Sequence, residues 1–449
     1  MISIYPTCAL RNVFPEGKFT IISDLTILQN IYYREESKEH FLDNQKMVGI
    51  CHLKILAPEN LREPFLGTLV KDKTEEKFHY CFCTKCLKEK IESPCNHKDD
   101  QRAHILTLCW PEINYAVEIG YTILQIYECY QYEKESHIFQ KFFSLLSREK
   151  IRYSKPTTEI KKYIAELNEG MAYTGSLKLA QSDIQPNEVK KKYYKEFLNA
   201  ILGKLGEQSQ RTKTVLIRSQ NELDLLDLAS VENIFSLKKS CIVFQKSGLK
   251  STRINVKSNS IIYSYVQCYA RIVMFKAMCQ LWQRNAQIFN ISNDALYFSL
   301  NHPLTKNDID CGPLFGQFKN EYLDMKIISY FSFGSKSSCI IFEDKDGKIS
   351  QNIKARGFSL SSCLSQEILG QYDVKKAMQK ALKSEADFVF VPQNRLKRSI
   401  VNLTVQDQFL MYRYTNNIQT TRILLSDGMS KSYGYKYIIS SFSERKRLA

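Results

Sequence analysis

The stretch IFNISNDALYFSL, Ile288 to Leu300, reads as two short runs of strand-forming residues that meet at Ser292-Asn293-Asp294. Ile288, Phe289 and Ile291 lead in, and Leu296, Tyr297 and Phe298 lead out, apolar and aromatic residues bounded by turn formers as in a hairpin. Asn and Asp suit the tight backbone of a hairpin tip. From Asn233 to Asn293 the chain carries no Asp or Glu, yet it holds Lys238, Lys239, Lys246, Lys250, Arg253, Lys257, Arg271, Lys276 and Arg284. Asp294 ends that run. Two readings stand for it: a turn residue, or a carboxylate at a tip amid basic sequence, suited to Mg²⁺, which prefers oxygen ligands and accompanies substrate phosphates. A single carboxylate is too little for a metal site, so the second reading asks for another from elsewhere.

Working outward, residues 261–284 form a long helical pattern with an apolar row at Val266, Ala270, Val273, Ala277 and Leu281, expected to pack beneath the sheet that bears Asp294. Upstream, EVKKKYYKEFLNAILGKLGE at 188–207 is a second helix candidate. Its Val189, Tyr193, Phe197 and Ile201 recur every four residues and are expected to face a core. Lys191, Lys195 and Asn199 recur at the same pitch two positions away and are expected to project from the other side. Paired ammonium groups suit a polyphosphate, each neutralising one oxygen; the competing reading is a solvated lysine face. Gly203 and Gly206 read as helix-stop residues.

Lys plus Arg number 63 against 47 acids, a net charge of +16 that points to a polyanionic partner, with a membrane surface as the competitor. A hydrophobic content of 44% and an aromatic content of 12% belong to a folded rather than a disordered chain. At 449 residues, two or three subdomains are expected. The longest apolar segment, Ile261 to Trp282, is broken by Arg271 and Lys276, so no transmembrane helix is expected. The start MISIYPTCAL lacks the pattern of a signal peptide. Fourteen scattered cysteines then read as mostly reduced thiols, and an intracellular protein, nuclear or cytoplasmic, is expected.

One cysteine cluster has ligand spacing. Cys83-x2-Cys86-x8-Cys95-x-His97 offers three thiols and an imidazole to a structural zinc, with Cys81 as an alternative ligand; plain buried or free thiols are the other reading. Elsewhere, residues 13–110 look irregular and mixed. A helix, a strand (YTILQIYECYQY) and a further helix are expected between Glu112 and Arg152, short strands over 216–260, and strand-like runs FVFV, FLMYRY and TTRILL near the end. The class is α+β.

The order Ser3-Ile4-Tyr5-Pro6, then Lys195-x3-Asn199-x3-Gly203-Lys204, then Ser292-Asn293-Asp294-Ala295 resembles motifs A, B and C of family B DNA polymerases. The match is best with the protein-primed branch, in particular the polymerases of Polinton/Maverick elements. VFPEGKF, the run from CTKC through CNH and QRAH to CWPEINYAVEIGYTILQIYE, GPLFGQFKNEY, FGSKSS and IKARGFSL extend the resemblance, and KSYGYK does so more loosely. It implies a palm–fingers–thumb fold lacking the N-terminal exonuclease domain. Residues 1–12 would be the first palm strand, 13–135 a palm insertion with the Cys/His cluster, 136–215 the fingers, 216–345 the palm core and 346–449 the thumb.

The resemblance also implies chemistry. Asp294 matches the motif C ligand of a two-metal Mg²⁺ nucleotidyl transfer. Lys195 and Lys191 match groups on the incoming triphosphate, and Tyr5 the aromatic gate against a ribose 2′-hydroxyl. Asn199 and Gly203 match the helix face against the nascent base pair, with Lys204 beside it, and Lys336 the contact to the primer end. The partners implied are a DNA template-primer, dNTPs and a terminal priming protein. The acid-free run would then line the nucleic-acid path.

Departures accompany the match. The family's first motif A Asp falls just before Met1, so the two-metal site is expected to be incomplete in this chain. Ser292 stands for the first Asp of motif C, Ala295 for its Ser, Leu202 for the aromatic of motif B, Ala200 for its Ser, and Ser338 for the Tyr after Lys336. These leave three expectations open: a template-directed DNA polymerase, a non-catalytic DNA-binding remnant of one, or an unrelated basic zinc-binding protein.

Overall fold

The computed structural model describes residues 4–23, 47–72, 75–156, 164, 179–207, 212–217, 219–224, 231–237, 240–246, 258–292, 294–305, 307–312, 316–334 and 337–354. Beyond these it describes 373, 375, 376, 380, 388–399, 404–415, 422–425 and 430–436. The fold is mixed α and β, and its centre is one helix shared by several cores.

That helix, α8, spans Ser260–Gln283 and packs against α1 (Ile4–Arg11), α4 (Trp110–Glu118) and α6 (Glu188–Leu205), while α5 (Gln140–Arg152) packs on α1 and α6. Asn259 caps α8 by accepting from the Ile262 amide at 3.0 Å. Asn285 ends it in the left-handed region at φ 61°, while the Ala286 amide reaches back to the Leu281 carbonyl at 2.9 Å. Of the apolar row expected along it, Val266, Ala270, Ala277 and Leu281 are buried. Buried Tyr265, Cys268, Phe275, Met278 and Trp282 add further faces, so α8 is apolar nearly all round, as a central helix must be.

On one side α8 packs against a four-stranded antiparallel sheet in the order β1 (Phe14–Ile22), β6 (Thr122–Ser136), β2 (Gly49–Leu56), β5 (His104–Cys109). Residues 13–110, expected to be irregular, supply three of these four strands. Alternation in GICHLKIL puts Cys51, Leu53 and Ile55 inward, where they meet Trp110, Ile113, Phe275, Met278 and Trp282. Gly49 is obligatory: a Cβ there would lie 1.8 Å from the Tyr130 carbonyl oxygen, at φ +141°. Its amide and carbonyl both bond the buried Tyr265 hydroxyl at 2.7 Å. Cys51 and Cys129, opposed on β2 and β6, are joined in a disulfide, and ten other described cysteines are free.

A buried imidazole in β5 sets a pH dependence. Burial pushes His104 down to about 4. Between pH 6.5 and 4 the unfolded chain takes up a proton that the folded chain refuses, so this stability is complete above 6.5 and is lost as the pH falls. Unfolding free energies from denaturant titrations at pH 7 and pH 5 are expected to differ by about 2 kcal/mol from this group, and His104→Leu to remove that share.

The helix α1 replaces the strand expected within residues 1–12: its buried Ile4, Thr7 and Cys8 recur at helical spacing, and Pro6 sits in the first turn, where it is tolerated. A second core joins Phe14, Phe143, Leu146, Ile151, Leu198, Leu202, Ile262, Tyr265 and Val266, from β1 and helices α5, α6 and α8. The expected helices and strand between Glu112 and Arg152 are α4, β6 and α5.

The hairpin β10 (Gln287–Ile291) and β11 (Leu296–Ser299) lies where the opening stretch put it. The remaining strands form β3 (Gly67–Asp72) with β4 (Glu75–Tyr80), and β7 (Thr212–Ile217)–β9 (Ser240–Lys246)–β8 (Val231–Leu237). They continue as β12 (Lys326–Gly334)–β13 (Ser337–Glu343)–β14 (Ile349–Lys354), β15 (Phe388–Ser399) with β16 (Thr404–Thr415), and β17 (Ile423–Leu424) with β18 (Ser430–Lys431). The boundaries drawn at 135, 215 and 345 fall inside β6, inside β7 and in the β13–β14 turn. No described helix is long and apolar enough to cross a membrane.

Candidate active site and metal centre

Asp294 sits exposed at the hairpin tip, where the Ser292 amide bonds the Ala295 carbonyl at 2.8 Å. The tip is backed from below: Leu296 packs on Ile4, Ala270 and Met274, while Ile288 and Phe298 pack on Ala277 and Leu281. The hairpin therefore stands on α8, as expected.

Tyr5 links this tip to the helices. It packs both against the core holding Leu198 and Leu202 and against the group beneath Leu296. Burial first, and then the Asp294 carboxylate, push its phenol above the ordinary range, with Arg271 opposing. The structure thus brings two residues of separate motifs, Tyr5 and Asp294, into one electrostatic neighbourhood. Ser3, Asn293 and Lys336 lie outside the described residues.

Helix α6 starts at Asn187, whose side chain accepts from the Lys190 amide at 3.0 Å. Its inward face is not the one expected. Val189 is 80% and Tyr193 58% exposed, and Phe197 is exposed too, whereas Leu198 and Leu202 are buried with Tyr194, Ile201 and Leu205 beside them. A strict four-residue row drifts about 40° per step around a helix of 3.6 residues per turn. A run starting at Val189 therefore slides off the core that Leu198 and Leu202 occupy. Helix α6 also continues through Gly203 to Leu205, so Gly203 is not its stop. A Cβ on Gly203 would meet nothing within 4 Å among the described residues, so no packing there requires glycine.

Lys195 and Asn199 are exposed; Lys191 is partly covered and bonds Glu188 at 3.3 Å, and Lys204 bonds Glu207 at 2.8 Å. Exposed i,i+3 pairs of this kind are weak and yield readily to a stronger anion. A third ammonium joins the first two, one that sequence reasoning missed. Burial pushes Lys150 of α5 down to about 8, with repulsion from Lys195 and Lys191 adding to it. Lys150 is legible only once α5 and α6 are known to pack together. Three like charges held close, one of them pushed down by its neighbours, describe a surface that gains from a polyanion.

Parts of the basic run are used within the fold. Arg271 makes a two-pronged pair with the buried Glu112 at 2.7 and 2.9 Å. Burial works against its charge, and Glu112 more than offsets this, holding Arg271 above its ordinary range. Lys276 lies over the Tyr115 ring at 5.0 Å, and Arg284 donates to the Asn307 carbonyl at 3.3 Å. Arg271 is committed to that pair, while Lys276 and Arg284 remain exposed.

The Cys/His cluster closes up as its spacing suggested. Cys83 caps the short helix α2 (Thr84–Glu89), its sulfur accepting from the Cys86 amide at 3.4 Å. His97 Nδ1 lies 3.5, 3.2 and 3.6 Å from the sulfurs of Cys83, Cys86 and Cys95. All four ligand atoms fall within 4.8 Å of one another, and Cys81 is not among them. Three thiols and one imidazole at mutual distances near the edges of a small tetrahedron fit a zinc-like cation. Asp294, by contrast, belongs to no group of three or more such donors among the described residues.

Residues 1–167 match the family model described as DNA polymerase type B, organellar and viral. No curated protein matches. Among solved structures, the chain is similar to Phi29 DNA polymerase complexed with primer-template DNA and incoming nucleotide substrates (ternary complex), at 11% identity and a TM-score of 0.47. The similarity covers 93% of this chain and 56% of that one, so the chain spans about half the length of that polymerase.

Proposed function

We propose, from the match of residues 1–167 to the organellar and viral type B DNA polymerases, that the protein is a template-directed DNA polymerase of the protein-primed, Polinton/Maverick-like branch. The observation that carries this reading is Tyr5, which shares a core with the lysine-bearing helix α6 and the electrostatic surroundings of Asp294. In this reading α5 and α6 are the fingers, α8 with the β10–β11 hairpin is the palm, and the strands after β13 build the thumb.

Lys191, Lys195 and Lys150 neutralise the triphosphate of a dNTP, each ammonium meeting a separate oxygen. Asn199 and the bare backbone at Gly203 accept the nascent base pair, whose close approach explains a glycine that packing among the described residues does not need. Tyr5 fills the space that a 2′-hydroxyl would require, and its half-buried ring is held by two cores. Lys204 and Lys336 meet the backbone of the template-primer. Asp294 would hold Mg²⁺ jointly with the substrate phosphates, the ion supplying charge neutralisation during transfer. The described residues do not fit a second ion, and no step is assigned to one. A terminal priming protein is the partner that the branch implies.

Primer extension with Mg²⁺ on a primed template tests the reading: template-dependent incorporation supports it. Salt-sensitive template binding with no incorporation would instead support the non-catalytic remnant, which Ser292 at the place of motif C's first Asp favours.

Lys195→Ala is expected to raise the dNTP concentration for half-maximal extension roughly tenfold, with template affinity unchanged, since one charge-assisted contact contributes about 1.5–3 kcal/mol. Because Lys150 sits at about 8, the same concentration is expected to rise between pH 7 and pH 9 as its proton is lost. A Lys195→Ala effect confined to template binding would argue against the triphosphate role.

A further inference from the structure

The end of the described chain returns to the cysteine cluster. Ile423 and Tyr433 are buried with Cys83, Cys86 and Cys95. The backbone of residues 430–436 spans both loops that carry the ligands. The Phe82 amide, beside Cys83, donates to the Tyr433 carbonyl at 2.8 Å, and the Cys95 amide donates to the Tyr435 carbonyl at 2.7 Å. Gly434 passes so close to Cys83 that a Cβ would lie 2.3 Å from the Cys83 Cβ and 2.4 Å from its nitrogen, at φ +85°. Outside the cluster the segment is pinned by polar contacts. Arg422 grips Glu63 with bonds of 2.6 and 2.9 Å, Ser432 donates to Glu63 at 2.8 Å, and Lys436 bonds Glu59.

This strap needs two loops at once. One loop carries Cys83 and Cys86, the other Cys95 and His97, and side-chain ligation to a common ion would fix their spacing. Without that clamp the loops can part, and a strap bonded to both loses its two-point seat. We propose that the cluster is a metal-dependent latch: with a zinc-like divalent cation bound, it holds residues 422–425 and 430–436 and ties the end of the described chain to the loops beside the β1–β6–β2–β5 sheet. The proposal rests on reading the cluster as a zinc site. By linkage the coupling is mutual, so a seated strap also tightens the metal.

Amide hydrogen exchange on the full chain tests it, alongside metal content by mass spectrometry. Stripping the cation with phenanthroline is expected to speed exchange roughly tenfold or more at Phe82, Cys95 and residues 430–436, with no change in α8, and Zn²⁺ addition to restore it. Gly434→Ala and, independently, Arg422→Ala are expected to speed exchange at Phe82 and Cys95 while α8 stays protected, and to weaken zinc retention against a chelator. A protein that binds zinc in one-to-one ratio but keeps its strap protection after stripping would overturn the latch and leave the zinc site standing. A folded protein that takes up no zinc would overturn both.

Discussion

Asp294→Asn, on the polymerase reading proposed above, is expected to lower the rate of nucleotide incorporation roughly a thousandfold, the loss of several kcal/mol of charge stabilisation at the reacting phosphate. The substitution keeps the shape and removes the charge. Asn suits a hairpin tip as well as Asp does, and the side chain is exposed, so neither folding nor template affinity should change by more than about 0.5 kcal/mol. Single-turnover extension and template binding, measured on the same preparation, check both halves. Unchanged turnover would remove Asp294 from the chemistry. A parallel fall in template affinity would make it a structural residue. The Tyr5 phenol supplies an internal reporter: with the Asp294 charge gone, one of the causes that raise its pKa disappears, and its titration should move towards the ordinary tyrosine range.

Arg271→Leu is expected to cost about 3–5 kcal/mol, because it leaves the Glu112 carboxylate buried without its partner. Glu112 is 3% exposed and receives both prongs of the Arg271 guanidinium. The pair joins α4 to α8 and so fixes the sheet module to the helix beneath the Asp294 hairpin. Urea unfolding followed by pulse proteolysis reads the loss. The double variant Glu112→Gln with Arg271→Leu should recover a large part of it, since the uncompensated charge is then gone. Equal destabilisation of the single and double variants would mean that packing of the arginine stem, not the ion pair, supplies the stability.

The local elements were largely legible because each carries its own signal. Recurring apolar residues mark the two long helices, Ser-Asn-Asp marks the hairpin tip, and Cys83, Cys86, Cys95 and His97 stand at ligand spacing. Where two signals competed, local reading failed. Val189, Tyr193 and Phe197 look like a core stripe, yet they face outward because the partner surface meets Leu198 and Leu202. Residues 13–110 read as irregular because β1, β2 and β5, strands of one sheet, are scattered over the chain and their pairing is long-range.

By itself, then, the amino-acid order determined the two long helices, the tip carboxylate and the thiol–imidazole cluster, which follow from short-range spacing, and the cationic bias, which follows from composition. Only the folded chain decided which groups share a neighbourhood: Tyr5 with Asp294, Lys150 with Lys191 and Lys195, Glu112 with Arg271, and Gly434 against Cys83. The physical reason is that helix and turn signals are properties of adjacent residues, whereas these meetings depend on burial and loop closure across distant segments.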